Sequence, residues 1–195
     1  MRRAVLLLIV AAMLTPVPAT AAPADTAVHV QAGKFRDEQG REITLRGFNV
    51  SGTAKLAENR GLPFATTADA QKSASAMKQL TGANAVRFLI TWAWVEPQPG
   101  QIDHAYLAKV TDQIKAFTDQ GILVYLDFHQ DLYSRHLFRP TSRHTGNGAP
   151  AWATLLDHGR TEDCGLICLH WAQHNLSDKA VRFAYQSFWK NSAHI

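Results

Sequence analysis

From Val28 onward, short apolar segments alternate with longer segments in which apolar residues recur every three or four positions. Segments 28–35 and 42–45 flank a polar stretch with Gly40 near its end, which predicts a β-hairpin with its turn at 36–41. The second arm continues as an extended segment to Val50. Segments 85–91 and 122–129 predict two further strands, and the periodicity predicts helices at about 69–81, about 104–120 and from about 177 onward.

Individual residues indicate where these helices begin and end and which faces they bury. Asp69 is a typical N-cap residue, and Gly82 and Gly121 are typical residues just beyond a helix C-terminus. Each helix is expected to bury one apolar stripe. The three stripes are Ala74, Met77 and Leu80; Leu107, Val110, Ile114 and Phe117; and Val181, Ala184, Tyr185 and Phe188.

The strands predicted at 85–91 and 122–129 are nearly continuous apolar runs. Strands of this kind are typical of a parallel sheet whose two faces are both covered. Alternation of strand and helix therefore predicts an α/β fold made of repeated βαβ units. A doubly wound sheet and a (β/α)₈ barrel both fit the pattern, and no Gly-x-Gly-x-x-Gly motif opens a helix to favour dinucleotide binding.

Composition and charge exclude several classes of protein. The 195 residues are 46% hydrophobic and 18% charged, which excludes a disordered or collagen-like chain. The formal net charge is +4, and the basic residues form no dense run. A nucleic-acid partner is therefore not expected, because such proteins usually carry a clustered basic stripe.

The N-terminus has the features of a secretory signal peptide. Arg2 and Arg3 precede an apolar run to Leu14, and Ala19-Thr20-Ala21 supplies small residues for cleavage before Ala22. The run is shorter than the roughly 20 residues that span a bilayer. We expect residues 1–21 to be removed and residues 22–195 to be secreted, to the periplasm or beyond, without stable membrane insertion.

The cysteines, Cys164 and Cys168, are four positions apart. A disulfide across so short a loop adds little stability, although it can shape a local turn. A metal site would need further ligands, for which His158, His170 and His174 are near in sequence. We favour a local disulfide in a surface loop.

Polar residues gather where the predicted strands end. Lys55 follows the first strand, and Asp127, His129 and Asp131 follow the third with a spacing of two, so they point to one side while the strand persists. Two carboxylates and an imidazole buried together require partners. An internal hydrogen-bonded network, a metal site and a site for sugar hydroxyls all remain open.

Arg87 and Trp92 belong to the middle strand and its exit. Arg87 interrupts an apolar run, so a buried guanidinium there requires a carboxylate or other acceptors, unless it points to solvent at a sheet edge. Trp92 offers a flat apolar ring that suits a sugar face, although ordinary packing is the usual role of such residues.

Four motifs together resemble glycoside hydrolase family 5, and within it the endoglycoceramidase-related branch, which cuts the glycan from ceramide. The similarity runs from about Phe35 to Asp131 and more loosely to Trp189. The motifs are Gly47-Phe48-Asn49, Val86-Arg87-Phe88, Trp92-x-x-Val95-Glu96-Pro97-x-x-Gly100-x-Ile102-Asp103-x-x-Tyr106-Leu107, and Asp127-Phe128-His129-Gln130-Asp131.

The resemblance implies a (β/α)₈ TIM barrel and a retaining glycosidase that uses no metal or organic cofactor. It implies that Arg87 supports the nucleophile carboxylate and that His129 lines the subsite beside the cleaved bond. Lys55, Asp127 and Asp131 match sugar-binding positions. The implied partner is a carbohydrate or glycolipid substrate.

The chain departs from the family pattern in its catalytic carboxylates. The family uses a Glu within Asn-Glu-Pro after the fourth strand and another Glu after the seventh, and none of the five glutamates here follows an asparagine. A barrel of this type has roughly 250 residues, so we interpret residues 22–195 as its N-terminal portion, with the first three or so βα units. The glutamates are Glu38, Glu42, Glu58, Glu96 and Glu162.

Two alternatives to an incomplete glycosidase remain open. The chain could be a non-catalytic glycan-binding remnant, or a metallohydrolase that uses Asp127, His129 and Asp131. The segment 132–176 is long for a connection between strand and helix. It is either an exposed insertion or, as we prefer, a loop that shapes the substrate entrance.

Overall fold

The computed structural model describes residues 27–55, 60–142, 145–161 and 173–191. The expected signal peptide, residues 1–21, lies outside the described residues. Cys164 and Cys168, with the disulfide expected between them, also lie outside.

The N-terminal hairpin turns earlier than the sequence analysis predicts. Strand β1 (His29–Gln31) pairs antiparallel with β2 (Lys34–Arg36), so both strands come from the segment expected to form only the first arm. Between them Ala32 and Gly33 have φ of +51° and +74°, the left-handed conformation of tight hairpin turns. Glu42 adds only an isolated bridge to the end of β2.

A three-stranded parallel sheet forms the centre of the fold. Its strands are β3 (Gly47–Val50), β4 (Ala85–Ile90) and β5 (Leu123–Phe128), in the order β3-β4-β5. The register pairs Asn49 with Arg87. Because the strands are parallel, their carboxyl ends meet at one edge of the sheet, as the alternation of strand and helix predicts.

Helix α1 (Thr67–Thr81) connects β3 to β4 and begins two residues earlier than predicted. Thr66, rather than Asp69, is the N-cap. The Asp69 N–H donates to Thr66 Oγ1 at 3.1 Å, and the Thr66 hydroxyl donates back to the Asp69 carboxylate at 2.7 Å. This pair differs from a capping box, because the Asp69 carboxylate accepts from the Thr66 hydroxyl and not from the Thr66 backbone N–H. Gly82 ends the helix in the left-handed conformation, as predicted.

The buried stripe of α1 differs from the predicted one at Leu80. Ala70 and Ala74 are fully buried, whereas Leu80 is 83% exposed. Six positions along a helix place Leu80 about 120° around the axis from Ala74. The side of α1 that packs into the hydrophobic core is therefore the one that carries these two alanines.

Helix α3 (His104–Thr118) connects β4 to β5 and is capped by Asp103, whose carboxylate accepts from the Tyr106 N–H at 2.8 Å. Val110 and Phe117 are buried against the sheet side of the core. These positions confirm the predicted helix, which ends two residues before the expected boundary.

The first hydrophobic core lies between one face of the sheet and the helices α1 and α3. Phe88 of β4 and Phe117 of α3 are completely buried and meet edge to face, with ring centroids 6.2 Å apart. Burial of large aromatic side chains at this point fixes the helices on the sheet.

The remaining helices are α2 (Trp92–Val95), α4 (His174–Ser177) and α5 (Lys179–Trp189). The carboxylate of Asp178 caps α5 and accepts from the Val181 N–H at 3.0 Å. Short 3₁₀ turns form at Arg135–Leu137 and Ala151–Ala153.

A second hydrophobic core packs against α5. It includes residues from both the long connection after β5 and the buried face of that helix. The described part of this connection is therefore not an exposed insertion, because it contributes fully buried side chains. The core consists of Leu132, Tyr133, Leu137, Phe138, Ala149, Ala180, Val181 and Ala184.

The sheet is covered on both sides only at its central strand. In β4, residues 88–90 are buried, as the apolar pattern predicts. In β5, Tyr125, Leu126 and Phe128 are 66%, 44% and 54% exposed, so the prediction of two covered faces is wrong for this strand among the described residues. Within that part of the chain β5 pairs on one edge only. None of the described helices is long and apolar enough to cross a membrane.

Candidate active site

The carboxyl-terminal half of the sheet brings a basic and an acidic side chain together. Arg87 leaves the middle of β4 and Asp127 leaves β5 near its end. Arg87 Nη2 lies 2.8 Å from Asp127 Oδ2, and Arg87 Nη1 donates to Asn49 Oδ1 on β3 at 3.3 Å. The guanidinium therefore joins all three parallel strands, and this partly exposed arginine is paired with a carboxylate.

His129 lies between two carboxylates just beyond β5. Its Nδ1 is 3.1 Å from Asp127 Oδ2, and its Nε2 is 3.1 Å from Asp131 Oδ2. The period of two places all three side chains on one side of the chain, as predicted. A neutral imidazole has one N–H and can donate to only one of these carboxylates, whereas an imidazolium donates to both.

The Asp131 carboxylate contacts three other residues of the site, of which His129 is one. Its Oδ2 lies 2.8 Å from Lys55 Nζ and accepts from Asn147 Nδ2 at 2.9 Å. Burial alone raises the pKa of Asp131. The hydrogen bonds from Lys55 and Asn147 and the charges of His129 and Lys55 lower this pKa by more, so the group titrates below its ordinary value of 3.8.

These contacts form one continuous array, which we call the polar cluster. It brings together five of the six predicted site residues and adds two asparagines. Cationic and anionic groups alternate along it, so each buried carboxylate has a charged partner. The polar cluster consists of Asn49, Arg87, Asp127, His129, Asp131, Lys55 and Asn147.

The arrangement does not suit a metal ion held by Asp127, His129 and Asp131. The two carboxylates contact opposite ring nitrogens of His129, so the three groups do not converge on a common point. Among the described residues, no group of three His, Cys, Asp or Glu side chains is placed to hold a metal.

Trp92 lies beside the polar cluster instead of within it. Its indole N–H donates to Glu96 Oε2 at 2.8 Å, and the Gly100 N–H donates to Glu96 Oε1 at 2.7 Å. Trp152 donates to the Glu96 carbonyl at 3.0 Å and meets the Trp92 ring edge to face at 5.2 Å. Both oxygens of the Glu96 carboxylate thus accept hydrogen bonds from neighbouring groups. Because its N–H is already bonded to Glu96, Trp92 can offer a ligand only the surface of its ring.

An apolar cavity of about 280 Å³ adjoins the polar cluster at His129. The long connection after β5 contributes to its wall, as expected for a loop that shapes an entrance. The side chains around it include Trp92, Phe128, His129, Tyr133, Ala149 and Phe188.

The sequence analysis missed Asn147 and the structural role of Glu96. Asn147 lies 16 residues after the carboxylate it contacts, and only the flanking glycines in Gly146-Asn147-Gly148 signalled an unusual backbone at that point. Glu96 could not be assigned this role because its spacing of four residues from Trp92 and from Gly100 does not by itself show that its carboxylate contacts either of them.

Comparison with known proteins places the chain among glycosidases. Residues 36–193 match the family Cellulase (glycosyl hydrolase family 5). A glucosylceramidase of Aspergillus fumigatus is 33% identical over 145 residues, covering 64% of this chain and 18% of the relative. Endo-glycoceramidase II from Rhodococcus sp., solved as a ganglioside GM3 complex, is 37% identical with a TM-score of 0.62, covering 80% of this chain and 34% of that one.

A crystal structure of an endogalactoceramidase is also similar, at 30% identity and a TM-score of 0.64, covering 86% of this chain and 37% of that one. The chain thus spans about a third of the solved structures it matches and less than a fifth of the curated relative. The family match extends over both hydrophobic cores and the whole polar cluster. The chain accordingly belongs to glycosyl hydrolase family 5, and its parallel strands with their connecting helices are part of the (β/α)₈ barrel of that family.

Proposed function

We propose that the polar cluster binds the sugar of a glycoside and that the whole protein is a retaining glycoside hydrolase acting on a glycolipid. The observation that carries the proposal is the continuous array from Arg87 to Lys55 at the carboxyl ends of parallel strands. In a (β/α)₈ barrel, ligands bind at this end of the sheet.

The polar cluster has the chemistry that sugar hydroxyls need. Each hydroxyl both donates and accepts, so a sugar requires acceptors and donors side by side. Asp127 and Asp131 supply acceptors, while the partly exposed side chains of Lys55 and Arg87 supply donors. Because Asp127 and Asp131 are already held by their partners, little of the side-chain entropy of these two acceptors remains to be lost on binding.

The apolar cavity beside His129 supports a glycolipid rather than a free oligosaccharide. Its aromatic and aliphatic lining suits the apolar part of an aglycone. Relatives with matching sequence are a glucosylceramidase and an endo-glycoceramidase solved with a ganglioside. We propose that the sugar lies on the polar cluster and the lipid enters the cavity.

Catalysis needs more than this part of the barrel provides. Retaining hydrolysis uses two carboxyl groups about 5–5.5 Å apart, one protonating the leaving oxygen and one attacking the anomeric carbon. The Glu96 carboxylate is occupied by Trp92 and Gly100, and Asp127 and Asp131 are ion-paired. We propose that neither catalytic glutamate lies in these 195 residues and that this chain alone binds glycosides without cleaving them.

Calorimetric titration of the chain with methyl β-lactoside and with a short-chain glucosylceramide tests the proposal. We expect both to bind, the lipid more tightly, and Asp131→Asn to weaken both by about tenfold, since it removes a charged acceptor. Asp119→Asn serves as the control, because Asp119 is the C-cap of α3, lies near the amino end of β5 at the opposite end of the sheet from the site, and forms an exposed ion pair with Lys115. Absence of heat for both ligands overturns the proposal, and release of glucose overturns its catalytic part.

Secretion is a separate part of the proposal. It rests on the basic, apolar and small-residue pattern of residues 1–21. N-terminal sequencing of the protein recovered outside the cytoplasm is expected to begin at Ala22. Recovery with Met1 intact would contradict cleavage.

A further inference from the structure

We infer that Asn147 is a positioning residue that holds the carboxylate of Asp131 in place for the ligand. This inference rests on the proposed function, because it deepens the account of the same site. Within the described part of the chain Asn147 hydrogen-bonds to no other residue of the polar cluster, so its effect on a ligand is expected to pass through Asp131.

Three hydrogen bonds tie Asn147 to Asp131. The two residues form an isolated antiparallel bridge, with the Asp131 N–H donating to the Asn147 carbonyl at 3.1 Å and the Asn147 N–H donating to the Asp131 carbonyl at 2.9 Å. The side-chain contact of 2.9 Å from Nδ2 to Oδ2 is the third. The backbone and the side chain of Asp131 are therefore fixed by the same residue.

Glycines on both sides keep Asn147 close against this backbone. A Cβ atom at Gly146 would lie 2.4 Å from the Asp131 carbonyl oxygen, and one at Gly148 would lie 2.6 Å from Gln130 Cβ. Gly148 also has a φ of +123°, which few other residues adopt. A side chain at position 146 or 148 would overlap these neighbouring atoms. The Gly146–Gly148 segment, which we call the GNG segment, therefore needs glycine at both of these positions to lie this close.

Lys55 cannot fix the carboxylate in the same way. It approaches Asp131 from a loop, and 43% of its side chain is exposed. A long, partly exposed lysine keeps rotamer freedom, whereas the short amide of Asn147 is held by its own backbone bridge. Asn147 is also neutral, so it orients the Asp131 carboxylate without cancelling the charge that a ligand meets.

The other end of the amide supports this reading. Asn147 Oδ1 is buried and has no hydrogen-bond partner among the described residues. An unpaired buried carbonyl costs free energy, so a different contact must favour this orientation of the side chain. The contact of Nδ2 with Asp131 does explain it.

The test compares Asn147→Ala and Asn147→Leu with the wild-type chain. Three quantities are measured: the affinity for methyl β-lactoside by calorimetry, the titration of the Asp131 carboxyl by ¹³C NMR, and thermal unfolding. We expect either variant to weaken binding by about fivefold or more, because one hydrogen bond to the acceptor is lost. We also expect the pKa of Asp131 to rise toward its ordinary value.

Asn84→Ala is the matched control. Asn84 also bridges two backbone segments through its side chain, since its Oδ1 accepts from the Arg46 N–H at 2.7 Å and its Nδ2 donates to the Thr44 carbonyl at 2.9 Å. It does so at the start of β4, the opposite end from the polar cluster. We expect this variant to lose thermal stability while the affinity and the Asp131 titration stay unchanged.

The outcomes separate this inference from the proposed function. A wild-type chain that binds no lactoside overturns the proposed function, and the ligand role of Asn147 with it. A wild-type chain that binds, with variants that keep either the same affinity or the same Asp131 titration, overturns the inference alone. Should Asn147→Ala not fold, Asn147→Leu, which keeps the branched shape of the side chain without adding a charge, decides between these results.

Discussion

Arg87 and Asp127 form an ion pair across neighbouring strands although they are not register partners. Arg87 is paired with Tyr125, and Asp127 is paired with Leu89, two residues further along β4. The guanidinium reaches diagonally to the carboxylate and meets it at 2.8 Å. A long side chain from the middle of one strand is thereby drawn toward the carboxyl end of the next.

Replacing Arg87 with alanine is expected to destabilise the chain by about 1–2 kcal/mol, because the mostly buried Asp127 loses its cationic partner. Urea unfolding measures the loss. Lys34→Ala removes an exposed pair of similar length with Glu42, and its cost is expected to be below about 0.5 kcal/mol. Equal losses in the two variants would show that Arg87 contributes no more than a surface charge.

The stability of the fold is expected to fall in acid through Asp131. Its pKa is lowered in the folded chain, so its contribution is fully present above the unfolded value near 3.8 and is lost as pH falls through the folded value. Urea midpoints between pH 6 and pH 2 are expected to decline less steeply for Asp131→Asn than for the wild type. Parallel curves would contradict the ion pair with Lys55.

Gly146→Ala is expected to displace the GNG segment. Its added Cβ would lie 2.4 Å from the backbone of Asp131, an overlap that costs about 1–3 kcal/mol and shifts the carboxylate. Gly33→Ala is the control, since position 33 is strained by its φ of +74° but has open space around it. Both variants are expected to lose stability in thermal unfolding, and only Gly146→Ala to lose affinity for methyl β-lactoside.

Glu96→Ala is expected to loosen the aromatic wall of the cavity. It leaves the Trp92 N–H without its acceptor, at a cost of about 1–3 kcal/mol if that group stays buried. Tryptophan emission is expected to shift to the red, and the shift to disappear in a Trp92→Phe background. Glu38→Ala, at an exposed position, is expected to change neither the emission nor the stability.

The sequence alone was sufficient to predict how the polar cluster assembles around β4 and β5. Parallel strands deliver their last residues to one edge, and the spacing of two keeps Asp127, His129 and Asp131 on one side. The spacing rule is local to one strand, and the meeting of the strand ends depends only on the strands being parallel. The position of Arg87 beside Asp127 depends in addition on the register of β4 and β5 and on the length of the arginine side chain.

Features that depend on distant packing were not predictable in this way. The contact of Asn147 with Asp131 requires the path of the connection that lies between them, which no periodicity encodes. The exposure of Leu80 depends on which stripe of α1 meets the sheet, and the alanines that decide it are weak hydrophobic signals. Exposed Tyr125 in β5 likewise depends on what lies beside the strand, which an apolar run does not reveal.

The bridge between Asp131 and Asn147 anchors both ends of the chain that connects them. Because the ends of this loop are already joined, insertions or deletions between Phe138 and Gly146 change the entropic cost of closing the loop only slightly. They can therefore change the shape of the entrance while the carboxylate remains where it is. For protein engineers this makes the connection a natural site for grafting new sequences while the position of Asp131 is kept.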